Sequence, residues 1–113
     1  MDNRNAIIRM LKQLLEDSIV LHQQGAGYYS CIPVIHRYNK LLSQARALFP
    51  GGGLIEMFED QRESDPNDPA DKMKVMQGIR IEVGQLISLL ESMGQDEDRQ
   101  RRALEVAKEA QEA

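Results

Sequence analysis

At 113 residues the chain is the size of a single domain. It is 42% hydrophobic and 28% charged, with no Trp, two Phe and three Tyr. A net charge of -4 without a cluster of Lys and Arg argues against nucleic-acid binding, where phosphate contacts supply most of the affinity. No uninterrupted apolar run approaches the ~20 residues of a membrane span. The polar start, Met1-Asp2-Asn3-Arg4-Asn5, lacks the pattern of a signal peptide. Cys31 is the single cysteine, which rules out an intrachain disulfide and fits a reducing cytoplasm.

The first predicted helix runs from about Asn5 to Gln24, with Asn3 or Asn5 as its N-cap. Ile7, Met10, Leu11, Leu14, Leu15, Ser18, Leu21 and His22 share one face at helical spacing, and Val20 lies off it. Gly25-Ala26-Gly27 ends the helix, since glycine tolerates the left-handed conformation of a C-terminal cap. A second helix starts near Ser30, with Pro33 inside its first turn. Its seam is Cys31, Ile35, Tyr38, Leu42, Ala45 and Phe49, widened by Leu41 and Leu48. Pro50-Gly51-Gly52-Gly53 stops it. Gly51 to Gly53 is read as a turn, because no Lys-Ser/Thr follows to make a phosphate-binding loop.

Leu54 to Gln61 is expected to make two turns of connecting helix, followed by a polar loop from Arg62 to Asp68. The third long helix has the clearest signals. Asp68 is its N-cap, Pro69 its first residue, and Asp71 an acid at the positive end of the dipole. Met76, Ile79, Val83, Leu86, Leu90 and Met93 form its apolar stripe, from which Ile81 points away. Gly78 and Gly84 flank the stripe and suggest a close helix crossing, and Gly94 is read as the end of the helix. This divides the chain into a helical bundle domain, 1–94, and a charged tail, 95–113, expected to be frayed helix or disordered when alone.

The predicted fold is all-α: an up-and-down helical bundle of three long helices plus one short connecting helix. Apolar faces broader than a two-helix seam, with Val20 and Ile81 left over, point to a homodimer. Charge is uneven along the chain. Residues 1–53 hold six Lys/Arg and three Asp/Glu, whereas residues 54–113 hold eight and fifteen. The two parts therefore attract each other, within a subunit or between subunits.

Two groups of side chains have the spacing of a site. His36, Asn39, Ser43 and Arg46 make a polar row beside the second seam. Such a row can line a groove and hold an anion or a partner's carboxylate. Its structural reading is a register-fixing polar pair, with Arg46 meeting an acid from the Glu56–Asp71 region. Glu56 and Glu59 are three apart, the spacing of helical carboxylate sites for Mg²⁺ or Mn²⁺ in all-helical nucleotide pyrophosphohydrolases. Such enzymes need a second acidic pair, and here only Glu82 and Glu91 are on offer. His22, Cys31 and His36 are good metal ligands without ligand spacing. The Tyr28-Tyr29 pair is read as capping one end of the core. With no further chemical constellation, the sequence points to a non-enzymatic protein–protein interaction or regulatory module without a cofactor, acting on a protein partner. The alternative is a metal-dependent nucleotide phosphohydrolase of the all-helical type.

Overall fold

The computed structural model of the protein describes residues 3–24, 30–48 and 53–112. The Gly25-Ala26-Gly27 stop, the Tyr28-Tyr29 pair, Phe49 and Pro50-Gly51-Gly52 lie outside them. Three α-helices follow in order: α1, Arg4–Gln24; α2, Ile32–Leu48; and α3, Pro69–Glu112. A 3-10 turn, Gly53–Met57, stands between α2 and α3. Among the described residues there is no strand, and no helix is long and apolar enough to cross a membrane.

Local chemistry sets the starts of the helices. Ile7 N–H donates to the Asn3 carbonyl at 3.0 Å, so Asn3 rather than Asn5 opens α1. At α2, Ile35 N–H donates to the Cys31 carbonyl at 3.1 Å, and Ser30 Oγ accepts from Ile32 N–H at 3.2 Å. Pro33 then falls in the first turn, where its missing N–H costs no hydrogen bond. At α3, Asp68 Oδ1 accepts from Ala70 N–H at 2.9 Å, and the Asp68 carbonyl accepts from Lys72 N–H at 3.0 Å. The i to i−4 bonds to Asn3, Cys31 and Asp68 are the first of each helix, whereas Ser30 Oγ and Asp68 Oδ1 pair N–H groups that the helix itself cannot satisfy.

α1 lies antiparallel to both other helices. Lys12 Nζ is 2.8 Å from Glu91 Oε1, while Leu15 and Ile19 line one cleft with Gln77, Arg80 and Ile81. Leu14 lies near Val34, and Ile7 near Leu41, on the side toward α2. The core takes Ile7, Ile8, Leu11 and Leu14 from α1, and Val34, Ile35, Tyr38, Leu41, Leu42 and Ala45 from α2. From α3 it takes Met76, Ile79, Val83, Leu86, Ile87 and Leu90. The 3-10 turn packs on α2 and α3 through Ile55, and Phe58 follows it into the core.

Four details differ from the sequence reading. Ile8 is buried and Met10 is 46% exposed, because α1 packs against two neighbours and its buried arc is turned toward both. The connecting helix is a five-residue 3-10 turn and ends at Met57, short of Gln61. Neither Gly78 nor Gly84 marks a helix crossing, since a Cβ added at either would meet nothing within 4 Å.

The largest difference is at Gly94, where α3 does not end. Its 44 residues continue to Glu112. One helical glycine costs only ~1 kcal/mol, and good helix formers follow without a proline. Gly94 is buried against α1, and the Arg4 guanidinium carbon lies 2.8 Å from where a Cβ would be. The glycine thus makes room for Arg4 instead of capping the helix. Residues 95–112 extend the rod by about 27 Å at 1.5 Å per residue. The long dimension of the molecule, 68 Å, is the length of α3.

Candidate functional site

The polar row of α2 faces the segment that joins the 3-10 turn to α3. Asn39 binds one peptide group from both sides: its Nδ2 donates to the Gln61 carbonyl at 2.7 Å, and its Oδ1 accepts from Gln61 N–H at 2.8 Å. Arg46 Nη1 donates to Asp60 Oδ1 at 3.2 Å, and Nη2 donates to the Phe58 carbonyl. His36 Nδ1 is 2.7 Å from Glu63 Oε1. These three residues therefore hold residues 58–63 as a strap along α2. Ser43 does not join them. It is exposed, on the rim of the cleft toward α1.

Two residues further along, Asp65 caps α2. Asp65 Oδ1 accepts from Cys31 N–H at 3.2 Å, and Lys72 Nζ stands 4.0 Å away. The Cys31 backbone N–H, then the Ser30 hydroxyl and Lys72, hold the Asp65 carboxyl below the usual carboxylate range. Burial, followed by the negative charge of Asp65, pushes the Cys31 thiol up. The thiol is fully buried, with Sγ 3.9 Å from the Lys72 carbonyl. A thiol in that setting is an inert packing group.

Beneath the strap, Tyr38 is completely buried, and its hydroxyl has no hydrogen-bond partner among the described residues. Burial, and then the nearby Glu82 carboxylate, push its pKa well above the usual phenol value. The Nε of Arg46 and Nδ1 of His22 are also buried without a hydrogen-bond partner among the described residues.

The acidic pair is not on one helix. Glu56 belongs to the 3-10 turn, Glu59 lies beyond its end, and both are exposed. Among the described residues no three His, Cys, Asp or Glu side chains converge as metal ligands do. His22, Cys31 and His36 are accordingly not gathered: His36 meets Glu63, and Cys31 is turned into the core.

A cleft absent from the sequence reading runs along α1 and α2, on the side away from α3. Leu14 and Val34 form the floor of one half, about 460 Å³, with Met10, Gln13, Asp17, Pro33 and Arg37 around it. The adjoining half, about 470 Å³, shares Met10 and Arg37 and adds Ile7, Leu41 and Lys40. Arg37 and Lys40 are exposed and have no hydrogen bond or ion pair among the described residues. The spacing of Arg37 and Lys40 was the available sequence signal, whereas spacing alone puts Met10 on the apolar face of α1. These residues become a site only once α2 lies beside α1.

Compared with protein-family models, with curated proteins and with solved structures, the chain matches none.

Proposed function

We propose that this protein is a non-enzymatic interaction module that takes an amphipathic helix of a protein partner along the α1–α2 cleft. The observation that carries this reading is the cleft itself. Its floor is apolar, Met10 is half exposed over it, and two basic side chains stand on one wall. α3 covers only one side of the α1–α2 pair, so the arrangement is one helix short of a four-helix bundle. A guest helix in the open side is a common mode of peptide recognition. Methionine adapts its shape to such a guest. Arg37 and Lys40 favour acidic residues along one flank of the guest, with Asp17 setting the opposite sign at the far end. The buried Cys31 suits work in the cytoplasm.

The test is affinity capture with mass spectrometry, using the wild-type chain beside Met10→Glu and Arg37→Glu. The expected result is a partner recovered by the wild type and lost with both variants. Repeated recovery of nothing specific, or of the same proteins with all three chains, would remove the reading. A screen of nucleoside triphosphates with Mg²⁺ and Mn²⁺ separates it from the phosphohydrolase alternative. Turnover abolished by Glu56→Gln would put hydrolysis in its place.

A further inference from the structure

Met57 and Leu104 are the two most exposed large hydrophobic side chains among the described residues, at 75% and 71%. They stand in surroundings of opposite charge. Met57 and Leu54 overhang a hollow of about 380 Å³ completed by Phe58, Glu82, Gln85 and Leu89. None of these is Lys or Arg, and Glu56 and Glu59 stand on the same short stretch as Met57. Leu104 lies on the part of α3 beyond the bundle, where every described side chain from 99 to 111 is exposed. Arg101 precedes it by three residues and Lys108 follows it by four, so the two bases flank Leu104 on one helix face. Ala107 keeps that face shallow.

The two surfaces cannot meet within one chain. The hollow lies at the level of Glu82 to Leu89, and Leu104 is on the same unbroken helix. From Leu89 to Leu104 is fifteen residues, about 22 Å of rod. An isolated helical stretch as short as 95–112 is marginal in water without a surface to lie on.

We propose that the occupant of the hollow is the 99–108 segment of a second copy of this chain, and that the exchange is reciprocal. Leu104 of each copy enters the Leu54–Met57–Leu89 hollow of the other, between two α3 helices running antiparallel. Placing Leu104 level with the Gln85–Leu89 stretch puts the two-fold axis beside residues 95–96. On that register Lys108 comes level with Glu82, and Arg101 with Leu89, on the side of the acidic turn. Each copy gives and receives the same contact, as a closed two-fold dimer requires. No hinge is needed, because the donated segment is the straight continuation of α3. The contact uses a different face from the α1–α2 cleft and does not depend on what that cleft binds.

Light scattering during gel filtration, on the full chain over a range of concentrations, tests this. The expected mass at the upper end is twice the 12.8 kDa of one chain. Arg101→Glu with Lys108→Glu should weaken association by about tenfold or more, and Glu56→Lys with Glu59→Lys should do the same. Mixing the two doubly substituted chains should restore a dimer, since both contacts of the mixed pair are then complementary: Arg101 and Lys108 of one chain meet Glu56 and Glu59 of the other, and the introduced acids meet the introduced lysines. All four positions are exposed, and circular dichroism confirms that the variants fold. A zero-length carbodiimide crosslink on a mixture of ¹⁵N-labelled and unlabelled chains should join Lys108 of one copy to Glu56, Glu59 or Glu82 of another. A single-chain mass at every concentration overturns the proposal. So does a dimer that neither pair of substitutions weakens, or a Lys108 crosslink confined to its own chain.

Discussion

Asn39 ties α2 to the strap through both hydrogen-bonding groups of the Gln61 peptide unit. Asn39→Ala removes a donor and an acceptor at once and leaves a part-buried N–H and C=O to find water. The expected loss is about 1–3 kcal/mol, read as a lower urea midpoint. Asp65 acts at the other end of the strap, where its carboxylate receives the Cys31 N–H at the positive end of the α2 dipole. Its folded pKa lies below the value it has unfolded, which is about 3.9 for an ordinary Asp. Its contribution is therefore complete above that value and is lost as pH falls through the folded pKa. Melting temperatures of the wild type and Asp65→Asn should differ at pH 7, and the gap should close on the acid side of the normal carboxylate range. A gap unchanged down to acid pH would show that Asp65 is not the cap described.

Among the elements, α3 carries most of the architecture, and its glycines divide into two kinds. At Gly94 the end of the Arg4 side chain lies where a Cβ would stand, and a larger residue would have to push that flexible side chain aside. Gly78 is exposed, with open space around it. Replacing it with alanine removes the backbone-entropy cost of a helical glycine and touches nothing. Gly78→Ala should stabilise the protein by about 1 kcal/mol, seen as a higher melting temperature. The 3-10 turn works differently. It contributes one anchor, Ile55, followed by Phe58 just beyond it, and it leaves Leu54 and Met57 in water. Tyr38 is buried on α2 between strap contacts Asn39 and His36, and its hydroxyl has no hydrogen-bond partner among the described residues.

The whole molecule is a short three-helix bundle with a rod running out of one end. Its stability should be uneven along α3. Amides from Ile79 to Leu90 sit in the core, whereas those from Arg99 to Gln111 belong to a helix with no described tertiary cover. Hydrogen exchange followed by mass spectrometry at low concentration should show slow exchange in the first group and fast exchange in the second. Raising the concentration should slow the second group alone, by mass action on the exchange of α3 segments. Equal protection at all concentrations would mean that the rod is stable by itself.

The sequence by itself determined the helices and their faces. Apolar residues at gaps of three and four, Asp68-Pro69 and Ser30 with Pro33 are local signals, and locality is enough to place a helix start and its buried stripe. Met76, Ile79, Val83, Leu86 and Leu90 of α3 were readable for that reason, as was the exposure of Val20 and Ile81, whereas the burial of Ile87 beside the stripe was not. The tertiary structure decided what depends on a second element. That Gly94 lies inside a continuous helix, with Arg4 from a segment ninety residues earlier packed against it, is seen only in the folded chain. Whether Met10 or Ile8 faced inward turned on α1 having two neighbours. The polar row of α2 was visible as a row. That three of its members hold the strap and the fourth faces α1 came only from the path of residues 58–65. Spacing along one helix reports which residues share a face, whereas the partner of that face is set by packing between segments far apart in the chain.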